Sequence, residues 1–392
     1  FSSRRRHTRW RLVSRGLGDV YKRQILSHVQ LLARNLGIPN VAVEKRLLDK
    51  ISSRQGQRVV LAVSSQGIVQ LVEDGPGWDE VFAVKTREND VLIRPDLNKL
   101  DLYNHSFIPL QKLRAADSGS VAGPKAANLG ELKHHFPEAV TDGLVIPFGL
   151  FRALLDQEIE PGGPPVFIWM QEQYTRIESL EKNSPKQDQI VRQFLQRMRD
   201  WIVNADPGDD FRDRLQTAMD AIFGPDGTYG LFVRSDTNVE DLPGFTGAGL
   251  NLTVANVVGY DNVLEAIRRV WASPFTERAY RWRQAYMATP EHVYASVLLL
   301  KSVPADKSGV MVTADIDTGQ PGWLTIAVNE GVGGAVSGQT AEELRVNLKS
   351  GRVRLMGHAA EPSKRIILSE GGMRKVAASG TEAILLSLIH IS

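Results

Sequence analysis

The chain contains no cysteine in its 392 residues. Neither a disulfide framework nor a thiolate metal site is therefore possible. A protein without disulfides fits a reducing compartment, and we expect this one in the cytoplasm. The sequence also lacks any apolar run that approaches a membrane span, which takes about 20 residues. The run 297–300 lies between His292 and Lys301 and instead predicts a buried strand.

A strong excess of one charge is missing as well, since the formal net charge is only +2. Residues 1–24 carry eight Lys or Arg and one Asp, and a basic arm that grips nucleic acid is one interpretation of them. However, this string and residues 387–392 resemble translated sequencing-adapter DNA, so we exclude both from fold reasoning. Without them the net charge is about −5. We therefore expect no nucleic-acid partner, and we expect the natural protein to extend further at both ends.

The apolar fraction of 42% allows sizeable cores, and the length suits two or three domains. Local patterns predict a hairpin over 58–71, helices within 149–159 and 184–222, a long amphipathic helix over 262–286 and two strands within 293–314. In the long helix, Val263, Ile267, Val270 and Trp271 are expected to face inward.

The stretch 231–250 has the sequence LFVRSDTNVEDLPGFTGAGL. Its apolar start, 231–233, predicts a short buried strand. Arg234 follows at the mouth of that strand, and a guanidinium there can hold a phosphate by two parallel hydrogen bonds. The glycines further on let the backbone approach a ligand. A surface hairpin with a salt bridge is the alternative.

A second polar feature is Lys125, which follows Gly123 and Pro124 at the predicted start of a helix. Free backbone N–H groups at a helix start, together with a lysine, form a phosphate-binding arrangement. The pattern GxK is a weak signal when it stands alone.

A third feature is His28, which stands in the first turn of a predicted helix, 28–36. Ser27 can cap this helix and Gly37 can end it. Neutral imidazole is a competent nucleophile near pH 7, and the helix start would favour an anion bound there. A capping or surface histidine is the alternative.

These stretches resemble motifs of one family, the dikinases that include phosphoenolpyruvate synthase, pyruvate phosphate dikinase and the glucan water dikinases. Residues 231–250 resemble its VRSS…EDLPG…GAG pattern, and 121–147 resemble G-x-K-A-x-N-L-x-x-L…V-P. Residues 25–43 resemble the S-H-x-x-x-x-A-R-x-x-G-I-P pattern of its phosphohistidine domain. The order, histidine before ATP motif, is similar to that of the glucan water dikinases.

The resemblance implies an α/β (α+β) fold with two parts. An ATP-grasp-like nucleotide-binding domain occupies 119–386 and is expected to be cut at its C-terminal end. A truncated, swivelling phosphohistidine domain occupies 25–91, and 92–118 is the linker between them. Residues 1–24 and 387–392 stay outside both domains.

The resemblance also implies roles for individual residues. His28 is the histidine that ATP phosphorylates. Arg34 contacts the group that His28 acquires, and a salt bridge on the helix face is the alternative role of Arg34. The expected ATP-binding residues are Lys125, Arg234, Ser235, Glu240, Thr313, Asp315 and Glu330. The ligands of Mg²⁺ are expected beyond the C-terminus.

The implied reaction uses ATP and Mg²⁺. His28 attacks the β-phosphate and releases AMP, the outer phosphate passes to water or phosphate, and the remaining phosphoryl group passes to pyruvate or an α-glucan. A domain outside this chain would bind that acceptor, so we expect the fragment to be inactive. We expect no membrane partner, and a homodimer stays open.

The chain departs from the family pattern at three places. Leu300 replaces a glutamine expected near adenine, Val312 replaces a phenylalanine, and Gly334 replaces a glutamate. The first and last departures favour an alternative, a nucleotide-binding regulatory module without phosphotransfer. An ATP-grasp ligase is a further alternative, and it would form ADP and phosphate instead of AMP.

Overall fold

The structure, a computed structural model, describes residues 7–11, 51, 54, 57–63, 69–78, 93–182, 184–240, 252–315, 319–334, 341–357 and 363–378. His28, Arg34 and the predicted helix 28–36 lie outside these residues. The contacts divide the chain into two units. The first unit contains Phe1–Asn89, Pro304–Ile366 and Arg374–Ser392, and the second contains Asp90–Val303 and Ile367–Met373.

Strands and helices are both numerous, which confirms the predicted mixed α+β class. The strands are β1 (His7–Arg11), β2 (Arg58–Val63), β3 (Val69–Glu73), β4 (Ile108–Pro109), β5 (Gly143–Ile146), β6 (Gly230–Thr237), β7 (Thr253–Val258), β8 (Ala295–Lys301), β9 (Lys307–Val312), β10 (Trp323–Glu330), β11 (Glu342–Asn347), β12 (Val353–Gly357), β13 (Ser363–Ile367) and β14 (Met373–Ala377). The α-helices are α1 (Pro124–His135), α2 (Phe148–Leu155), α3 (Val166–Glu178), α4 (Pro185–Asn204), α5 (Asp209–Phe223), α6 (Tyr260–Ala272) and α7 (Glu277–Tyr286). In the part of the chain that the structure describes, none of these helices has the length and apolar character needed to cross a membrane.

The first unit is built from antiparallel strands. One sheet has the order β1-β2-β3, and the pairing of β2 with β3 confirms the hairpin predicted over 58–71. Its first strand, β1, comes from the segment 1–24 that was excluded from the fold prediction. A second sheet has the order β12-β11-β10-β9, with small apolar clusters around Ala327 and Leu344.

The second unit contains a five-stranded antiparallel sheet of order β4-β5-β8-β6-β7. Side chains alternate between the two faces of a strand. Leu231, Val233 and Leu299 belong to the large core that the helices α2 to α6 build on one face, and we call it the α6 face. Leu298 and Leu300 belong to a smaller core with Ala126 of α1 on the other face, which we call the α1 face.

The predicted helix over 262–286 is wrong in one respect. Val263, Ile267, Val270 and Trp271 are buried as expected, but the helix is two helices, α6 and α7, separated by a short 3-10 turn at Ser273–Phe275. Pro274 lies in that turn and has no N–H to continue the α-helical bonding. Thr276 then caps α7 by accepting the N–H of Ala279 at 3.4 Å.

Part of the segment predicted as a linker is packed into the second unit. β4 pairs with β5 at the edge of the sheet, and Leu110 and Leu113 are buried in the smaller core. Their burial holds residues 108–113 against the α1 face, because exposing two leucines costs about 2 kcal/mol or more each. The predicted domain boundaries as a whole stay predictions.

Candidate functional site

Lys125 lies in the first turn of α1, as the sequence predicted. Gly123 is the N-cap residue and Pro124 the first helical residue, a position where the missing N–H of proline is harmless. Ala126 anchors the helix in the smaller core on the α1 face of the sheet. The first turn of α1 lies against β6 and β8, where Asp236 and Ser296 contact it.

The backbone N–H groups at this helix start are already occupied. The carboxylate of Asp236 accepts the N–H of Lys125 at 3.0 Å and that of Ala126 at 2.8 Å. The hydroxyl of Ser296 accepts the N–H of Gly123 at 3.1 Å and donates to the carbonyl of Asp236 at 2.7 Å. The expectation that backbone N–H groups here would hold phosphate is wrong, because a buried carboxylate takes that place.

Asp236 is fully buried and forms part of β6. Burial raises the pKa of its carboxyl to about 7. The charge of Lys125 and the two backbone N–H groups oppose that rise in pKa, whereas the charge of Glu240 adds to it. The carboxyl packs closely against the start of α1, since a Cβ on Gly123 would lie 2.3 Å from Oδ1 of Asp236.

The ammonium of Lys125 is held beside the end of β6. It donates to the carbonyl of Ser235 at 2.9 Å and forms an ion pair with Glu240. The Lys125 side chain keeps 25% of its surface exposed, so it is still accessible from solvent. Ser235 and Glu240, both predicted as ATP-binding residues, are thus brought to Lys125. An ionised glutamate cannot donate to phosphate, and its contact here is with the ammonium.

Arg234 lies on the α1 face of the sheet. Phe232, Arg234 and Asp236 alternate with the buried Leu231 and Val233, and Phe232 packs in the smaller core with α1. Arg234 is half-buried, between Thr253 of β7 and Leu298 of β8. Within the described ranges its guanidinium has no hydrogen-bond or ion-pair partner.

The strand that carries these residues is longer than predicted. The apolar run 231–233 is a buried strand as expected, but β6 continues through Thr237. Ser235, Asp236 and Thr237 are buried although they are polar. Their backbone groups pair with β8, and the helix start of α1 satisfies the carboxylate. Arg234 therefore projects from the middle of a sheet, not from a loop.

The remaining predicted ATP-binding residues lie in the first unit. Thr313 is exposed just after β9, and Asp315 is buried in an ion pair with Arg345 at 3.0 Å. Glu330 ends β10 and forms an ion pair with Lys364 at 3.6 Å.

The structure does not bring all three of these residues together. Val312, next to Thr313, pairs with Thr325, whereas Glu330 pairs with Lys307 at the other end of β9. Five residues of strand between Thr325 and Glu330 correspond to roughly 17 Å.

Metal ligands are not gathered in the described part of the chain. It contains no group of three or more His, Asp or Glu side chains that could hold an ion. Mg²⁺ is usually held by one or two carboxylates together with substrate phosphates, so the described residues by themselves define no Mg²⁺ site. A surface cavity of about 810 Å³ lies along α4, lined by Arg192, Arg199 and Trp201 among others, and no predicted site residue lines it.

Two residues of the site were missed by the sequence prediction, Asp236 and Ser296. Their partners are 110 and 173 residues away along the chain, so no local pattern connects them. One signal was present. Asp236 comes two residues after Arg234 and therefore shares its face in a strand, where an acidic residue requires a partner.

Comparison with known proteins gives one matching family and several relatives. Residues 119–388 match the family described as pyruvate phosphate dikinase, AMP/ATP-binding domain. A rifampicin phosphotransferase of Streptomyces sp is 29% identical over 268 residues, which are 68% of this chain and 29% of that protein. A probable phosphoenolpyruvate synthase of Methanothermobacter thermautotrophicus is 32% identical over 226 residues, 56% of this chain and 30% of that protein. The phosphoenolpyruvate synthase of Pyrococcus furiosus is 29% identical over 163 residues, 41% of this chain and 20% of that protein. The chain thus spans less than a third of the length of these relatives.

Proposed function

The chain belongs to the pyruvate phosphate dikinase AMP/ATP-binding domain family, and from that premise we propose that it binds ATP with the phosphates held by Lys125 and Arg234. An ammonium and a guanidinium are suited to this task, because both donate charged hydrogen bonds to phosphate oxygens. Ser235 and Glu240 assist by holding the ammonium of Lys125.

One observation carries this proposal. Lys125 and Arg234 come from distant segments, yet α1 and β6 place them at the same face of one sheet. Lys125 is partly exposed, and Arg234 has no protein partner among the described residues. A half-buried guanidinium without a protein partner keeps its N–H donors for water or for an anionic ligand.

Isothermal titration calorimetry with ATP, ADP and AMP tests the proposal. Lys125→Ala and Arg234→Ala should each weaken ATP binding by about ten- to a hundredfold, the usual effect of losing a charged hydrogen bond. The loss should be larger for ATP than for AMP, which lacks the outer phosphates. Arg192→Ala is the matched control, since Arg192 is an exposed arginine of α4, on the α6 side of the sheet. Unchanged ATP affinity in both site variants would refute the proposal.

The further proposed step is phosphotransfer through His28, which lies outside the described residues. Nitrogen Nε2 of His28 attacks the β-phosphorus of ATP, the bond to the oxygen that bridges to the α-phosphorus breaks, and AMP leaves. Water or phosphate takes the outer phosphate, and the inner phosphoryl group passes to an acceptor. We propose Arg34 as a contact of the phosphorylated histidine.

Labelling tests this step directly. Incubating the full-length protein with β-labelled ATP should leave acid-labile label on His28, and His28→Ala should remove it. His105→Ala is the matched control, because His105 is an exposed histidine outside the motif. Label that persists in His28→Ala would exclude this histidine as the acceptor of the phosphoryl group.

The proposed architecture follows the same family. We propose an ATP-grasp-like domain over 119–386, preceded by a swivelling phosphohistidine domain, and Thr313, Asp315 and Glu330 as further nucleotide contacts.

The relatives are named for phosphoenolpyruvate synthesis and for rifampicin phosphorylation. We propose pyruvate or an α-glucan as acceptor for this protein, bound by a domain outside the chain.

A second candidate is a nucleotide-binding regulatory module that transfers no phosphate. Leu300 favours it, because this side chain lies on the α1 face, buried opposite Phe232, where the family pattern has a glutamine. An aliphatic side chain cannot hydrogen-bond adenine. Release of AMP from ATP separates the two candidates, since a binding module releases none.

A further inference from the structure

The carboxylate of Asp236 connects the two halves of the proposed phosphate site. Asp236 lies two residues after Arg234 on the same strand and the same face. Its two oxygens accept the N–H groups of Lys125 and Ala126 at 3.0 and 2.8 Å. Because Asp236 is fully buried, it has no surface with which to touch a nucleotide.

These contacts fix the position from which the Lys125 side chain starts. A lysine ammonium sits on a flexible four-carbon stem, so its location depends on where the backbone is anchored. Here the backbone N–H of Lys125 itself is one of the two anchored groups. Ser296 holds the preceding Gly123 and the carbonyl of Asp236, so the helix start is attached to β6 and β8 at three N–H groups.

We propose that Asp236 is a positioning residue of the phosphate site, which sets the Lys125 ammonium in register with the Arg234 guanidinium. This inference rests on the proposed binding of ATP by Lys125 and Arg234. Asp236 fills the helix start with its own carboxylate and leaves phosphate recognition to the two side chains. A residue that only stabilised α1 would affect folding but not the affinity for ATP in the folded protein.

A double-mutant cycle on ATP affinity separates these two roles. Asp236→Asn keeps the size of the side chain but turns an amide N–H₂ toward a backbone N–H donor. We expect it to weaken ATP binding by about tenfold, the effect of displacing one charged contact. In the Lys125→Ala background the same substitution should cause no further loss, because Asp236 acts through Lys125.

Two companion variants complete the design. Ser296→Ala removes the hydroxyl bridge between Gly123 and Asp236 and is milder, so it carries the same test if Asp236→Asn does not fold; it should also weaken ATP binding only when Lys125 is present. Ser184→Ala removes the N-cap of α4, whose hydroxyl accepts the N–H of Gln187 at 3.1 Å. It should lower stability like a lost cap while leaving ATP affinity unchanged.

The outcomes distinguish this inference from the proposed function. Equal loss of affinity with and without Lys125, or unchanged affinity in both Asp236→Asn and Ser296→Ala, overturns the positioning role while ATP binding by Lys125 and Arg234 stands. If the unaltered chain binds no ATP, both the proposed function and the positioning role fail.

Discussion

The carboxylate of Asp236 accepts the backbone N–H of Lys125 at 3.0 Å, although 111 residues separate the two along the chain. This contact joins the helix start of α1 to the strand β6 and replaces the bound phosphate that the sequence pattern suggested. The backbone N–H groups at the start of α1 are therefore bonded within the protein. The groups left to face a ligand are side chains. We therefore expect the stability of this region to depend on the charge of Asp236 and on how closely α1 packs against it.

The stability of the second unit should depend on pH through Asp236. Its pKa is about 7 in the folded protein, against an ordinary value of 3.8. The folded state therefore holds this proton more tightly than the unfolded state, and the contribution of Asp236 to stability falls as pH rises from about 4 to about 7. Above that window its contribution is constant. Lys125 and Glu240 are the charged groups that act on this carboxyl.

Urea unfolding at about pH 5 and about pH 8, for the unaltered chain and for Asp236→Asn, measures this dependence. Asp236→Asn has no carboxyl at this position, so its unfolding free energy should lack the contribution of Asp236 to the pH dependence. The difference in unfolding free energy between the two proteins should therefore change between the two pH values. A constant difference would show that Asp236 does not titrate there.

Gly123→Ala should destabilise the protein by about 1–3 kcal/mol, the usual effect of overpacking a buried site. A Cβ at this position would lie 2.3 Å from Oδ1 and 2.8 Å from the backbone carbon of Asp236, so either the helix start or the strand has to shift. Gly77→Ala is the control, because a Cβ there meets nothing within 4 Å. Denaturant unfolding of both variants checks the prediction, and equal stabilities would contradict the close approach of α1 to β6.

Arg234→Lys should weaken ATP binding nearly as much as Arg234→Ala. Lysine keeps the positive charge but lacks the planar fork that makes two parallel hydrogen bonds to a phosphate. Calorimetric titration with ATP measures both variants, and full retention of affinity in Arg234→Lys would show that only charge is needed.

Local patterns were enough for much of the fold. Apolar runs predicted the strands at 231–233 and 297–300, and Gly123-Pro124 predicted the start of α1. The break between α6 and α7 had a signal in Pro274, which the helical period of the flanking residues outweighed. Helix α3 was not predicted, although Pro165 directly precedes it as its N-cap residue.

The missed part of the site has a different cause. β6 continues through buried polar residues, whose burial is tolerable only because partners arrive from α1 and β8. Those partners are set by tertiary packing, and a reading of local patterns could not place the carboxylate of Asp236 at the helix start. Motif resemblance predicted a phosphate-binding role for Lys125 and Arg234, whereas the contacts of Asp236 and Ser296 with the start of α1 became visible only in the fold.

Asn256 offers a separate test, because this buried residue combines an unusual backbone conformation with two side-chain hydrogen bonds. Its φ of 50° lies in the left-handed region, at a point where β7 has one more residue than the paired stretch of β6. Its side-chain amide donates to the carbonyls of Leu368 at 2.7 Å and Gly372 at 2.8 Å. Asparagine suits both requirements, since it tolerates the left-handed region better than most residues.

Replacing Asn256 by alanine and by glycine separates the two contributions. Asn256→Gly loses both hydrogen bonds but accepts the backbone conformation, and we expect a loss of about 2 kcal/mol. Asn256→Ala loses the same bonds and adds the left-handed strain of a side chain, so it should be less stable than the glycine variant by about 1 kcal/mol. Urea unfolding of the three proteins gives both differences. An alanine variant as stable as the glycine variant would contradict the predicted strain. It would mean that the backbone leaves the left-handed region once the side-chain amide is gone. The two hydrogen bonds would then be what holds the conformation at residue 256.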